Sequence, residues 1–266
     1  MSIDTPSLSD FLQTEADHIQ SIGPEYFPCA SEFRTLAERL DTGRFHLAVL
    51  GQFKRGKSTL INALLGEPLL PSSVIPLTAI PTLITHGDRK SIRIRFEDGR
   101  EDEIVVNDHL PLLHDTLLRY VSEEFNPKNK QGILQVEVTH PSPVLAQGVV
   151  LIDTPGIGSV HQHNTEMTLK YLNQCDAALF LVSADPPITE VEVAFLQTIR
   201  KAVTKVFFVL NKVDYLSVDE QETALAFFQA VLRERADITG LTQPVSCLWD
   251  WAPSSALPKI FSCVHR

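Results

Sequence analysis

Apolar positions change their spacing along the chain near residue 45. Before it they recur at helical intervals: Leu8 to Ile22 reads as one helix and Ser31 to Leu40 as a second, with Phe33, Leu36, Ala37 and Leu40 on one face. Gly23-Pro24 separates the two, since proline removes a helical hydrogen bond and glycine loosens the backbone beside it. From Phe45 the apolar positions become continuous. The run His46-Leu47-Ala48-Val49-Leu50 reads as a buried strand, followed by a glycine-bounded loop and a helical stretch from Thr59 to Leu65. Further strands are expected at Thr82 to Thr85, Ile92 to Phe96, Ile104 to Val106, Ile133 to Val138, Val149 to Ile152, Ala177 to Val182 and Val206 to Leu210, with helical patterns between several of them. Asp98-Gly99 between two short strands predicts a hairpin. The expected fold is therefore α/β, a mostly parallel mixed sheet flanked by helices, with an N-terminal helical segment.

Composition narrows the class. With 44% hydrophobic and 21% charged residues the chain is globular, and its 266 residues leave room for one sizeable domain and an appendage. Its longest apolar runs, such as Ala177 to Val182, fall far short of the ~20 residues that a membrane-spanning helix needs. A net charge of -10 opposes a nucleic-acid partner, so an anionic ligand must be captured locally. The four cysteines have no paired metal spacing, and the start MSIDTPSLSD has neither a basic region nor an apolar run. A reducing cytoplasm is the expected compartment.

The chemistry starts at Gly51-Gln52-Phe53-Lys54-Arg55-Gly56-Lys57-Ser58, a complete G-x-x-x-x-G-K-[ST] set between a strand and a helix. In that setting the backbone from Gly51 to Thr59 curls its N–H groups around a β-phosphate, and the following helix turns its positive end toward it. Lys57 supplies a charge between the β- and γ-phosphates, and the Ser58 hydroxyl suits Mg2+. Asp153-Thr154-Pro155-Gly156 closes the strand GVVLI. There Asp153 is expected to hold Mg2+ through water, and Gly156 to offer an unhindered N–H to the γ-phosphate. Asn211-Lys212-Val213-Asp214 closes the strand KVFFVL. The Asp214 carboxylate accepts both the N1–H and the exocyclic amine of guanine, an edge that adenine lacks, so GTP and GDP are expected over ATP. Asn211 is expected to tie this base loop to the phosphate loop, and the Lys212 stem to lie over the purine. Arg55 is read either as projecting into solvent beside Lys54 or as an arginine finger acting in cis. Together the three motifs predict a P-loop GTPase fold that binds GTP and GDP with Mg2+ and hydrolyses GTP.

At the level of whole segments the chain resembles the dynamin family of large GTPases, most closely its bacterial members. The resemblance covers about residues 30 to 240 and rests on GQFKRGKSTLINALLG, LLPSSVIPLTAIPTLITHG, PSPVLAQGVVLIDTPGIGS and SADPPITEVEVAFL. It implies that the Pro-x-Thr segment is the first switch, with Thr78 a catalytic, Mg2+-binding threonine; Thr82 and Thr85 are weaker candidates, and all three also suit a strand. It also accounts for Ile157 and Gly158 standing after DTPG in place of a catalytic glutamine. His161 and His163, in the segment that follows, read as solvated rather than as a base or metal site. Lys54 stands where the family carries a small hydroxyl residue beside a monovalent cation, so its ammonium, anchored by Asp185, is a candidate substitute for that cation; the alternative is a solvent-facing lysine. Ser246, followed by Cys247, stands at the family's Ser-Ala pair near guanine.

Three segments are expected: an N-terminal helical segment 1–43, a dynamin-type GTPase domain 44–248, and an irregular C-terminal tail 249–266, without the family's long stalk helices. The resemblance implies self-association through the nucleotide face and peripheral membrane association only through regions absent here. Two alternatives stay open. One is an Era- or EngB-like ribosome-assembly GTPase, disfavoured by the charge of -10; the other is a nucleotide-dependent scaffold with little hydrolysis.

Overall fold

The computed structural model describes residues 7–70, 80–106, 109–122, 124–156, 168–169, 171–183, 185–203, 205–236, 238, 245–246 and 263–264. The chain divides into two compact units, Met1–Phe45 and His46–Arg266. The first is a helical pair. α1 (Leu8–Ile22) opens on a capping box: the Ser7 hydroxyl accepts from the Asp10 amide, and the Asp10 carboxylate accepts from the Ser7 amide. Gly23 ends it, a single 3-10 turn Pro24–Tyr26 follows, and α2 (Phe27–Thr42) runs to Gly43, whose φ of 57° is a left-handed helix cap. Leu12, Ala16, Ala30 and Ala37 are buried, whereas Leu36 and Leu40 remain 46% and 45% exposed. The face expected from Phe33 to Leu40 thus gives way to one centred on small residues, which let two helix backbones approach closely. Arg34 pairs with Asp17 across the helices at 2.6 Å.

After β1 (Phe45–Leu50) come α3 (Lys57–Leu65), β2 (Thr82–His86), β3 (Ser91–Phe96), β4 (Glu101–Val105), α4 (Leu110–Val121), β5 (Ile133–His140), β6 (Val149–Asp153), β7 (Ala177–Ser183), α5 (Glu190–Ala202), β8 (Lys205–Asn211), α6 (Val218–Arg235), β9 (Val245–Ser246) and β10 (Cys263–Val264). The strands form one sheet in the order β10-β8-β7-β1-β6-β2-β5-β3-β4, with β9 beside β8. β1, β7 and β8 are mutually parallel, as are β2 and β5; β2–β6, β5–β3 and the β3–β4 hairpin are antiparallel. The sheet is mixed, as expected.

The central strands are apolar through their middles because helices cover both faces. Val49, Leu179, Leu181 and Val209 point into the core shared with Leu60, Ile61 and Leu65 of α3 and with Leu113 and Leu117 of α4. Their neighbours Ala48, Leu50, Phe180, Phe208 and Leu210 point the other way, onto Leu196 and Ile199 of α5 and Phe228 and Leu232 of α6. This period-two split puts ~1.5–3 kcal/mol behind each large buried side chain. Phe180, Phe208 and Phe228 meet edge to face at 6.0 and 5.7 Å between centroids.

Two segments depart from expectation. β4 starts at Glu101 rather than Ile104, since Glu-Asp-Glu lacks an apolar signal. Cross-strand charge supports it instead: Arg93 meets Glu101 at 3.0 Å and Glu103 at 3.5 Å. Within 249–266, read as irregular, Cys263–Val264 pairs antiparallel with β8.

Candidate functional site

Because β1, β7 and β8 are parallel, Gly51, Ser183 and Asn211 emerge on one edge of the sheet, where open α/β folds bind ligands. The phosphate loop leaves β1 against β7: a Cβ on Gly51 would lie 2.7 Å from the Leu181 carbonyl oxygen. It ends at Gly56, whose φ is 92°. α3 starts at Lys57 without a side-chain cap, so its first amides are left for a ligand. Lys57 is buried, and its ammonium donates to the carbonyl oxygens of Gly51 at 3.1 Å and Gln52 at 3.3 Å. Gln52 and Phe53 are half-buried, Ser58 is half-buried on α3, and Thr59 is exposed.

Asp153 closes β6 beneath this loop, only 4% exposed. Its Oδ2 accepts from Ser58 Oγ at 3.1 Å, while its Oδ1 is buried with no hydrogen-bond partner. Burial pushes its carboxyl up to about 6, against the pull of Lys57 and the Ser58 hydrogen bond. Burial likewise lowers the Lys57 ammonium, partly offset by Asp153 and Glu192. The Asp153 carboxylate is thus short of a partner, whereas Lys57 rests on two carbonyl oxygens. An orphaned carboxylate oxygen beside a serine hydroxyl is a hard-oxygen donor set of the kind Mg2+ takes, so the residues fit that ion. Next along, Thr154 Oγ1 donates to the Val49 carbonyl at 2.7 Å and anchors the turn to β1. A Cβ on Gly156 would lie 3.0 Å from the Phe53 amide nitrogen and 3.3 Å from Lys57 Nζ, so a side chain there would crowd the loop.

On the base side, Asn211 Nδ2 donates to the Arg55 carbonyl at 2.8 Å, joining the end of β8 to the phosphate loop. Lys212 has a φ of 59°, and Asp214 is exposed on the turn Val213–Tyr215. Gln221 of α6 braces that turn by donating to the Val213 and Leu216 carbonyls, each at 3.1 Å. Ser246 lies in β9, level with Leu210 of β8.

Thr78, Ile157, Gly158, His161 and His163 lie outside the described residues. Thr82 and Thr85 are in β2, with Thr82 in register with Asp153 and Thr85 donating to Glu137 at 2.9 Å. Lys54 is exposed with a φ of 66°, its ammonium 5.5 Å from the Phe53 ring centroid; among the described residues no ion pair joins it to Asp185. Arg55 requires a correction. It neither projects into solvent nor reaches outward as a finger: it is 2% exposed and turned inward onto Glu192. Sequence reasoning missed Glu192. Its signal was Thr189-x-x-Glu192, readable as a capping box, which α5 indeed has; nothing local marked it as the counter-charge of Arg55.

Among the described residues no helix is long and apolar enough to cross a membrane. Residues 47–213 match the model of the dynamin family. A protein encoded in the xynA 3′ region of Caldicellulosiruptor sp. (strain Rt8B.4) is 40% identical over 237 residues, which are 88% of this chain and 56% of that protein. The bacterial dynamin-like protein of Nostoc punctiforme is 35% identical over 182 residues, 67% of this chain and 26% of its own length. The chain therefore spans about half of the first relative and a quarter of the second. A solved structure described as an oligomerised bacterial dynamin pair superposes with a TM-score of 0.64 at 22% identity, over 88% of this chain and 36% of that one.

Proposed function

Because the chain belongs to the dynamin family, we propose that it is a dynamin-like GTPase head that hydrolyses GTP to GDP and phosphate in a Mg2+-dependent reaction. Asp153 carries this reading. A carboxylate with one oxygen on Ser58 and the other orphaned, beside a buried lysine, is costly unless a cation and phosphates complete it. Ser58, Asp153 and Thr78 would hold Mg2+, which when bound screens phosphate charge and polarises the γ-phosphoryl group. Lys57 is placed to exchange two carbonyl oxygens for β- and γ-phosphate oxygens. Amides from Gln52 to Thr59 take the remaining oxygens. The Gly156 amide follows the γ-phosphate, Lys54 adds positive charge at the β–γ bridge, Asp214 reads guanine, and Lys212 and Ser246 flank the base.

The head would comprise 44–248, with 1–43 as a helical appendage and 249–266 as a tail. We further propose the cytoplasm as its compartment, and self-association through the nucleotide face, supported by the oligomerised pair that shares its fold. Membrane contact would fall to regions outside this chain. Family membership favours this reading over ribosome assembly and over a scaffold.

The test is nucleotide binding and turnover by the purified chain, from nanomolar to tens of micromolar protein, with Mg2+ and with a chelator. GDP and GTP are expected to bind ~10⁴-fold more tightly than ADP and ATP, and turnover per head to rise with protein concentration and stop with the chelator. Asp214→Asn is expected to shift preference toward xanthosine nucleotides. Equal ATP and GTP affinity, or no GTP turnover at any concentration, refutes the reading.

A further inference from the structure

Arg55 occupies the variable position just before the Gly-Lys-Ser of the phosphate loop, yet its side chain serves a different part of the molecule. A guanidinium has five N–H donors, and here each has an acceptor. Nε donates to Glu192 Oε1 at 2.8 Å; Nη2 donates to Glu192 Oε2 at 2.7 Å and to the Pro187 carbonyl at 3.2 Å; Nη1 donates to Ser183 Oγ and to the Pro186 carbonyl. An arginine finger needs donors free for the transferring phosphoryl group, and none is left. Glu192 is equally committed. It is fully buried, and besides Arg55 its Oε2 accepts from the Thr189 amide at 2.9 Å and hydroxyl at 3.1 Å, so the ion pair is built into the first turn of α5.

The main chain of Arg55 completes the junction. Its amide donates to the Gln52 carbonyl at 3.3 Å, and its carbonyl accepts from Asn211. One residue therefore connects the phosphate loop, the base-recognition strand, Ser183 at the end of β7, the loop 185–187 carrying Asp185, and the start of α5. On its far side that loop is not tightly packed. Ser183, Pro187 and Ile188 line an open pocket of about 410 Å3 together with Leu216, Phe227 and Phe228. The Arg55 hydrogen bonds to Ser183, Pro186 and Pro187 tie this segment to the phosphate loop, and Ser183 Oγ adds a bond to the Asp185 carbonyl at 3.1 Å.

From this geometry we infer that Arg55 and Glu192 are a positioning couple for nucleotide binding, a buried strut that sets the phosphate loop and the Asp185 loop as one unit. The inference rests on the proposed GTP-binding reading. Removing one member alone leaves a buried charge unpaired and destabilises the fold, whereas removing both relieves that charge. The informative variant is therefore Arg55→Met/Glu192→Met, compared with each single change and with Arg55→Lys.

GDP affinity by calorimetry, kcat at saturating GTP, thermal midpoint and hydrogen exchange at the Asp185 and Ile188 amides are measured for each. The double variant is expected to melt above either single variant yet bind GDP at least tenfold more weakly than the parent. Exchange at the Asp185 and Ile188 amides should be faster, and kcat should fall by a smaller factor than affinity. Arg55→Lys is expected to bind GDP as weakly as Arg55→Met, since an ammonium has no planar fork for the carboxylate. A double variant with the parent's GDP affinity overturns the inference, because the pair then serves folding alone. Intact GDP affinity with kcat lowered ~10³-fold also overturns it, in favour of a finger. A parent chain that fails to bind GDP overturns the GTPase reading and this inference together; a parent that binds while the variants match it overturns only the inference.

Discussion

Gly56→Ala tests whether the phosphate loop and the base-recognition motif are one mechanical unit. Gly56 has a φ of 92°, and a Cβ added there would sit 2.4 Å from Asn211 Nδ2, the atom that donates to the Arg55 carbonyl. Two costs follow. The left-handed backbone disfavours any L-residue by ~1–2 kcal/mol. Driving Asn211 away breaks a buried hydrogen bond and strands its partners, about 1–3 kcal/mol more. The sum of ~2–5 kcal/mol corresponds to roughly 30- to 4,000-fold in an equilibrium constant. It will be divided between folding stability and GDP affinity, depending on how far the free loop relaxes. Gly66→Ala is the control: at a φ of 79° its Cβ would meet nothing within 4 Å, so it carries only the backbone cost and leaves GDP affinity alone. Urea unfolding without nucleotide and calorimetric GDP titration give the two components. If the combined loss for Gly56→Ala does not exceed that for Gly66→Ala, Asn211 does not hold the loop as described.

Glu67 has a pH-dependent contribution to stability. Burial alone would raise its carboxyl, but hydrogen bonds from Lys90 at 2.8 Å and His140 at 2.5 Å outweigh this and hold it below its ordinary 4.5. A depressed carboxyl stabilises the fold above that value and loses the contribution as pH falls through its folded pKa. The thermal midpoint of the parent is expected to exceed that of Glu67→Gln near neutral pH, with the gap closing below pH 4.5; a constant gap rules the interaction out. Lys54→Ser addresses the charge at the phosphate bridge: the parent should turn over GTP equally in choline, sodium and potassium, and the serine variant should come to need sodium or potassium. A parent that stops in choline removes Lys54 from that position.

The first helix and the order of the three nucleotide motifs were legible because they depend on local backbone chemistry. Gly51 and Gly56 are needed for close approach and positive φ, and the apolar runs belong to strands covered on both faces. β4 was only half legible, since its Glu-Asp-Glu start is paired by arginines of the neighbouring strand.

By itself, then, the sequence determined the fold class, the place of the phosphate loop, and the residue types that could meet phosphate, metal and guanine. Tertiary structure decided what those side chains face. Arg55 and Glu192 are 137 positions apart, and Asn211 and the Arg55 carbonyl 156 apart. No spacing rule spans such distances, because a long polar side chain in a loop adopts whichever direction supplies its hydrogen bonds once it is buried. The same holds for Asp153: the motif named it, but only the packing of β6 beneath the loop left one oxygen on Ser58 and the other without a partner. Local propensity is written in neighbouring residues, whereas the satisfaction of buried charge is a property of the assembled core.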